Sequence, residues 1–112
     1  AEPYLERLIE IFDQYDHDGL RRHTLRMLTR YPIPEKNTVR VMDICFSMLT
    51  LFQAAAIKVH AMEILYKLSH RFPEIKRELA NAIELSMQEG TTGVKNRGAK
   101  TLKKLYREMS KQ

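Results

Sequence analysis

Apolar residues recur every three or four positions along most of this chain, and prolines and glycines cut the pattern into six segments. That spacing is the mark of amphipathic helices. Pro3 opens the first segment, with Leu5, Leu8, Ile9 and Phe12 on one face. It runs to Asp16-His17-Asp18-Gly19, where Asp18 is placed to cap the next helix. The second covers Gly19 to Tyr31, with Leu20, Met27, Leu28 and Tyr31 on one stripe; Pro32 and Pro34 stop it. The third runs from Glu35 to Phe52 through Val41, Met42, Cys45, Phe46 and Leu49. Its β-branched residues suit a strand, but its length and its spacing by three and four favour a helix. The fourth spans Ala56 to Phe72, carrying Ile57, Ala61, Ile64, Leu65 and Leu68. Pro73 opens the fifth, which carries Ile75, Leu79, Ala82 and Ile83 to about Glu89; Gly90-Thr91-Thr92-Gly93 ends it. The sixth spans Val94 to Met109, with Thr101, Leu102 and Leu105.

The even segments align without gaps at an offset of 37 residues. Leu20, Ile57 and Val94 correspond, as do Arg21, Lys58 and Lys95; His23, His60 and Arg97; Leu28, Leu65 and Leu102; and Tyr31, Leu68 and Leu105. The odd segments keep the same offset through Leu5, Met42 and Leu79, then Leu8, Cys45 and Ala82, then Ile9, Phe46 and Ile83. The match weakens at Phe12, Leu49 and Ser86. A fixed period of this length predicts a stacked solenoid: no helix pair covers its own apolar face, and about three stacked pairs make one stable core. The expected repeats are residues 3–34, 35–72 and 73–111 of one domain, 1–112.

Each even segment repeats an apolar, basic, then small residue and a Leu. The three versions are Leu20-Arg21…Thr24…Leu28, Ile57-Lys58…Ala61…Leu65 and Val94-Lys95…Gly98…Leu102. The pattern resembles the HEAT repeat. The resemblance implies an all-α fold, a right-handed α-α superhelix of three antiparallel helix pairs, and a scaffold that binds other macromolecules. The family places an Asp in the turn inside each repeat. Asp16 and Asp18 supply it once, whereas the second turn reads Gln53-Ala54-Ala55 and the third Glu89-Gly90. By the same resemblance, Arg21, Lys58 and Lys95 pair with turn acids of the neighbouring repeat. The stretches Ile44-Cys45-Phe46 and Met62-Glu63-Ile64-Leu65-Tyr66-Lys67-Leu68 are also similar to short bacterial HEAT-like proteins, some of which carry the label adenylosuccinate lyase. Lyases of that superfamily are several times longer and need a Ser-rich mobile loop that this sequence lacks.

Charge changes the picture, because it segregates by helix. The first helices of the pairs carry a net −7 and the second helices +12, leaving +5 for the 112 residues. In HEAT-type solenoids the second helices line the concave surface, so the resemblance implies a basic concave face and an acidic convex one. Arg22, Arg26 and Arg30 lie four apart on one helix line. Their register equivalents include Lys67, Lys100 and Lys104, with Glu63 interrupting. These six cations form the expected binding patch, suited to an acidic peptide or a phosphate backbone. The bland alternative is a solvated face that keeps the domain soluble.

Candidate chemistry adds little. Among His17, His23, His60 and His70 there is no His-Glu-x-x-His, and Cys45 has no cysteine companion, so no standard zinc site is written locally. His23 and His60 share a register position, which suits interhelix packing better than a two-ligand metal site. Cys45 sits on an apolar face and reads as a small hydrophobe. The Gly90–Gly93 turn follows no strand and lacks a Walker lysine in place. No cofactor and no catalytic constellation is expected. One cysteine, no signal peptide and no apolar run of ~20 residues point to the cytoplasm and away from a membrane. The start at Ala1 points to a processed chain or a piece of a longer one.

Two function classes follow. The first is a non-enzymatic scaffold binding a protein or acidic peptide, with oligomerisation through exposed end repeats as an option. The second is a nucleic-acid-binding protein, since the charge split resembles that of the DNA alkylation-repeat proteins. The glycosylases among those proteins use Trp and an acid at the damaged nucleotide, and this chain has no Trp.

Overall fold

The computed structural model describes residues 2–15, 17–51 and 53–111. Six α-helices account for most of them: α1 (Glu2–Glu10), α2 (Asp18–Arg30), α3 (Thr38–Thr50), α4 (Ala55–Ser69), α5 (Lys76–Gln88) and α6 (Thr92–Ser110). No strand occurs among the described residues, so the β-branched third segment is helical as its periodicity requires. Consecutive helices pair as α1–α2, α3–α4 and α5–α6. The pairs stack so that α4 packs on both α2 and α6 while α3 packs on α5, giving an all-α superhelical solenoid. The second helices pack on one another more closely than the first helices do.

Local chemistry sets where each helix starts and stops. α1 ends earlier than the periodicity suggests, and a short 3-10 turn, Phe12–Gln14, follows it. That break buries Phe12 completely and stacks it edge-on against Tyr15 at 5.4 Å. The cap of α2 is His17 and not Asp18: its Nδ1 accepts the Leu20 amide at 3.2 Å. Asp18 is instead the first helical residue, where its charge still meets the positive end of the helix. Asp16, expected in this turn, and Phe52, expected to end the third segment, lie outside the described residues. α3 and α5 are each entered through a 3-10 turn, Glu35–Asn37 and Pro73–Ile75. Thr91 caps α6 through its hydroxyl.

The 37-residue register is visible in burial. Leu28 and Leu65 are fully buried and Leu102 is partly buried, packed against the core from α6. Ile57 and Val94 are buried, and Leu20 partly so. Tyr31 departs from its equivalents: it is 50% exposed, whereas Leu68 and Leu105 are 2% and 0%. The weakened match at Ser86 has a physical reason. Its hydroxyl donates to the Leu49 carbonyl at 2.8 Å, sharing with Lys58 the free C-terminal carbonyl of α3.

The small residue of each second helix holds a matching register position, and at Gly98 it faces the paired first helix, α5. Thr24, Ala61 and Gly98 are all buried. At Gly98 the approach is tightest: a Cβ there would lie 2.7 Å from Met87 Sδ and 3.1 Å from Ile83 Cγ2. A β-branched side chain has no room unless α5 retreats. Gly98→Val is therefore expected to lower stability by ~1–3 kcal/mol, read from the urea midpoint, and Met87→Ala in the same chain should recover part of the loss.

Candidate functional site

The second-helix layer carries the expected patch, and its members differ in what they touch. Arg22, Arg26 and Arg30 are exposed along α2, and no ion pair involves them among the described residues. Lys67 is committed elsewhere: its Nζ donates to the Leu28 carbonyl at 2.8 Å, closing the last turn of α2 from the neighbouring helix. Burial holds the Lys67 ammonium below its ordinary range, with Cys45 opposing. Lys100 and Lys104 are exposed on α6, and Lys104 Nζ lies 5.5 Å from the Tyr66 ring centroid. Between the α2 and α6 cations, Glu63 of α4 pairs with Arg97 of α6 at 3.2 Å. The layer is thus two positive stretches separated by a neutralised middle.

His60 reports on the α2 arginines. Burial holds its imidazole below the ordinary value; Glu63 opposes this, and Arg26, Arg22 and Arg30 add to it. Its Nδ1 is buried without a hydrogen-bond partner. His23, its register equivalent, instead faces Tyr4 with ring centroids 6.4 Å apart. Among the described residues, no group of three His, Cys, Asp or Glu side chains is placed to hold a metal ion. Cys45 is fully buried, and burial pushes its thiol far above the usual range, against a weaker pull from Lys67.

The basic ladder at the core edge serves the helix ends. Lys58 Nζ donates to the Leu49 carbonyl at 3.0 Å, and Glu89, in the next repeat's turn, acts on it electrostatically. Arg21 Nη2 donates to the Tyr15 carbonyl at 3.1 Å, and the guanidinium lies 5.8 Å from the Phe12 ring centroid. Lys95 is exposed. These two hydrogen bonds satisfy carbonyls near the turn inside their own repeat. At Lys58 an acid of the neighbouring repeat, Glu89, also acts through space.

One polar cluster escaped sequence reasoning. Glu108 of α6 accepts from the Tyr66 hydroxyl and pairs with the nearly buried Lys76 at 3.1 Å, with His70 Nε2 at 3.6 Å. Burial pushes the Glu108 carboxyl up, but Tyr66 and Lys76 outweigh it and hold it below its ordinary value. The cluster ties α4, α5 and α6 together. Its members are up to 42 residues apart and outside the repeat pattern, so no local motif announces it.

Clefts lie on the surface, one of them bordering the patch at Arg26 and Arg30. One of about 620 Å³ runs between α3 and α5 over Met42, Phe46 and Ala82, rimmed by Asp43 and Glu78. One of about 290 Å³ lies at the α1 end, lined by Tyr4, His23, Arg26, Met27, Arg30 and Tyr31. Among the described residues no helix is long and apolar enough to cross a membrane.

The family model described as a HEAT repeat domain matches residues 2–105. No curated protein and no solved structure matches the chain significantly.

The His60 environment sets a pH dependence. A depressed histidine is neutral in the fold while the unfolded chain still takes up its proton near the ordinary value of 6.5. As pH falls through that value the unfolded state gains protons first, so stability drops until the folded-state value is reached. His60→Gln should shrink the difference between urea midpoints measured at about pH 7.5 and about pH 5.

Proposed function

Because the chain belongs to the HEAT-repeat family, we propose that its second-helix layer is the concave binding face of a scaffold and that it holds an acidic segment of a partner protein. The observation that carries this reading is a contrast among the cations. Lys36, Arg40, Arg71, Lys76 and Arg97 each have a carboxylate within 3.6 Å. No such partner accompanies Arg22, Arg26, Arg30 or Lys100 among the described residues, nor scattered cations such as Arg7 and Arg77, but the α2 arginines are aligned four apart on one helix line. Like charges four apart on a helix repel by ~0.2–0.5 kcal/mol per pair. An anionic partner turns that repulsion into affinity.

The neutral middle supports a protein partner over a phosphate backbone. Glu63 and Arg97 interrupt the positive surface, which suits discrete acidic side chains at two places. A phosphate backbone presents evenly spaced charge and favours an unbroken cationic track. The binding residues are Arg22, Arg26, Arg30, Lys100 and Lys104. Lys67 serves mainly to hold α2 and α4 together.

The test uses the full chain with a fluorescent Glu-rich peptide. Arg22→Glu, Arg26→Glu and Lys100→Glu together should leave the helical spectrum and unfolding transition intact, because exposed substitutions usually cost within about 0.5 kcal/mol each. The same variant should bind the peptide at least about ten-fold more weakly, a loss of ~1.4 kcal/mol. In the unaltered chain, peptide binding should raise the His60 titration midpoint seen by NMR, since the arginines that depress it become neutralised. Equal binding by the triple variant removes the reading. Preferential, steeply salt-dependent capture of duplex DNA replaces it with nucleic-acid binding.

A further inference from the structure

Along the seam between α3 and α5, in the interior of the stack, side chains lie open at register positions that the preceding repeats bury. Leu5 and Ile9 of α1 are buried, whereas their equivalents on α3, Met42 and Phe46, are only partly so. Val41, Ile44 and Met48 of α3 are buried, whereas their equivalents on α5, Glu78, Asn81 and Leu85, are exposed, Leu85 by 62%. These open residues line the 620 Å³ cleft, with Asp43 beside them. A lone exposed leucine is ordinary on a protein surface. Leu85 differs because it continues the apolar floor made by Met42 and Phe46.

We infer that this groove is the docking site for a short basic amphipathic helix of a partner protein. The floor calls for apolar side chains, and the flexible thioether of Met42 adapts to their shape. The rim selects the sign of the charge. Asp43 and Glu78 stand on it, and no lysine or arginine lines the groove. Among the described residues neither carboxylate is in an ion pair. The cations beside them in sequence serve other groups: Arg40 pairs with Asp13, Lys76 pairs with Glu108, and Arg77 acts through space on Tyr106 of α6. Other unpaired carboxylates, such as Glu10 and Glu74, line neither this groove nor the cleft at the α1 end. Apolar floor and uncompensated negative rim therefore coincide here, and a basic amphipathic helix complements both.

The register also orients that helix. Glu78 holds the position of Val41, close to the level of Asp43, so both carboxylates mark one end of the groove. Leu85 holds the position of Met48 and marks the other end, ~10 Å or two helical turns away. The partner's lysines or arginines belong at the first end, and an apolar stripe runs from them toward Leu85, the helix-in-groove mode of recognition. A second copy of this chain offers cations without such a stripe. Of the large apolar side chains on its basic helices α2 and α6, Tyr106 alone is exposed among the described residues, and its hydroxyl is held by Glu84. The groove belongs to the first-helix layer and does not rest on the reading of the concave face.

The experiment pairs the full chain with a fluorescent, stapled helical peptide of about twelve residues, with leucines along one face and lysines at one end; the staple is needed because so short a helix is marginal alone. The peptide should bind saturably, shift the amide signals of Asp43, Phe46, Glu78 and Leu85, and weaken as salt rises. A version with glutamate in place of lysine should bind at least about ten-fold more weakly. In the chain, Leu85→Ser should reduce binding by about ten-fold through lost apolar contact. Asp43→Lys with Glu78→Lys should reject the lysine peptide and admit the glutamate one. All three positions are exposed, so the unfolding transition should stay in place. Arg22→Glu with Lys100→Glu should leave binding unchanged, which separates this groove from the concave face. Four outcomes overturn the inference: no saturable binding, equal binding of the lysine and glutamate peptides, shifts confined to the second helices, or concentration-dependent self-association of the chain that Leu85→Ser abolishes. The last would make a second copy the occupant.

Discussion

Close approach of the two helices within each repeat governs the rest of this molecule. At one register position the second helices carry Thr24, Ala61 and Gly98, each buried, and Gly98 lies against α5. The progression follows the opposing surface. Thr24 fits because its hydroxyl bonds the Leu20 carbonyl and meets the Tyr15 hydroxyl at 3.0 Å. At Gly98 a methyl would meet the Met87 side chain and Ile83, so the methionine would have to shift to admit one. Only when the pair closes to this distance do the aliphatic residues of both helices reach one another and form a continuous core across three repeats. The closeness also fixes the rotation of each second helix, and with it which side chains turn outward.

That rotation explains why the architecture was legible in the sequence and why several details were not. Apolar spacing and the 37-residue offset are consequences of helix geometry and stacking, so they appear directly in the order of residues. Leu28, Leu65 and Leu102 occupy matching places for this reason. The exceptions are polar atoms whose partners lie far along the chain. Ser86 looked like a lapse in the repeat until the Leu49 carbonyl, 37 residues earlier, supplied its purpose. Lys67 looked like a surface cation, yet it closes the end of α2 across 39 residues. His17 took the capping role from Asp18 because its ring nitrogen reached the Leu20 amide, a choice between neighbours that spacing alone leaves open.

The electrostatics divide in the same way. Net charge per helix is a sequence property, and the +12 of the second helices is real as a count. What those charges do depends on their neighbours. Lys67 and Arg97 are consumed by contacts between repeats, and Lys76 by the Glu108 cluster. Setting Lys67 and Arg97 aside leaves two positive stretches, the α2 arginines and the α6 cations; the α2 arginines lie near a histidine that burial, and to a lesser extent those arginines, hold below its ordinary value. A surface whose cations are spent on structure binds anions weakly; one whose cations are unpaired and aligned has that capacity in reserve.

A repeat protein also contains its own control experiment, since each junction shows what the others lack. The second helices bury Leu68 and Leu105 at 2% and 0% exposure where the first repeat carries Tyr31 half in solvent. Tyrosine is the residue type suited to both states, because its ring gives apolar contact while its hydroxyl tolerates water. At the other end, small and cationic side chains, Ala99 and Lys103, face outward on α6. Exposed polar side chains make these α6 positions compatible with water, and the tyrosine hydroxyls serve the same purpose on the first repeat.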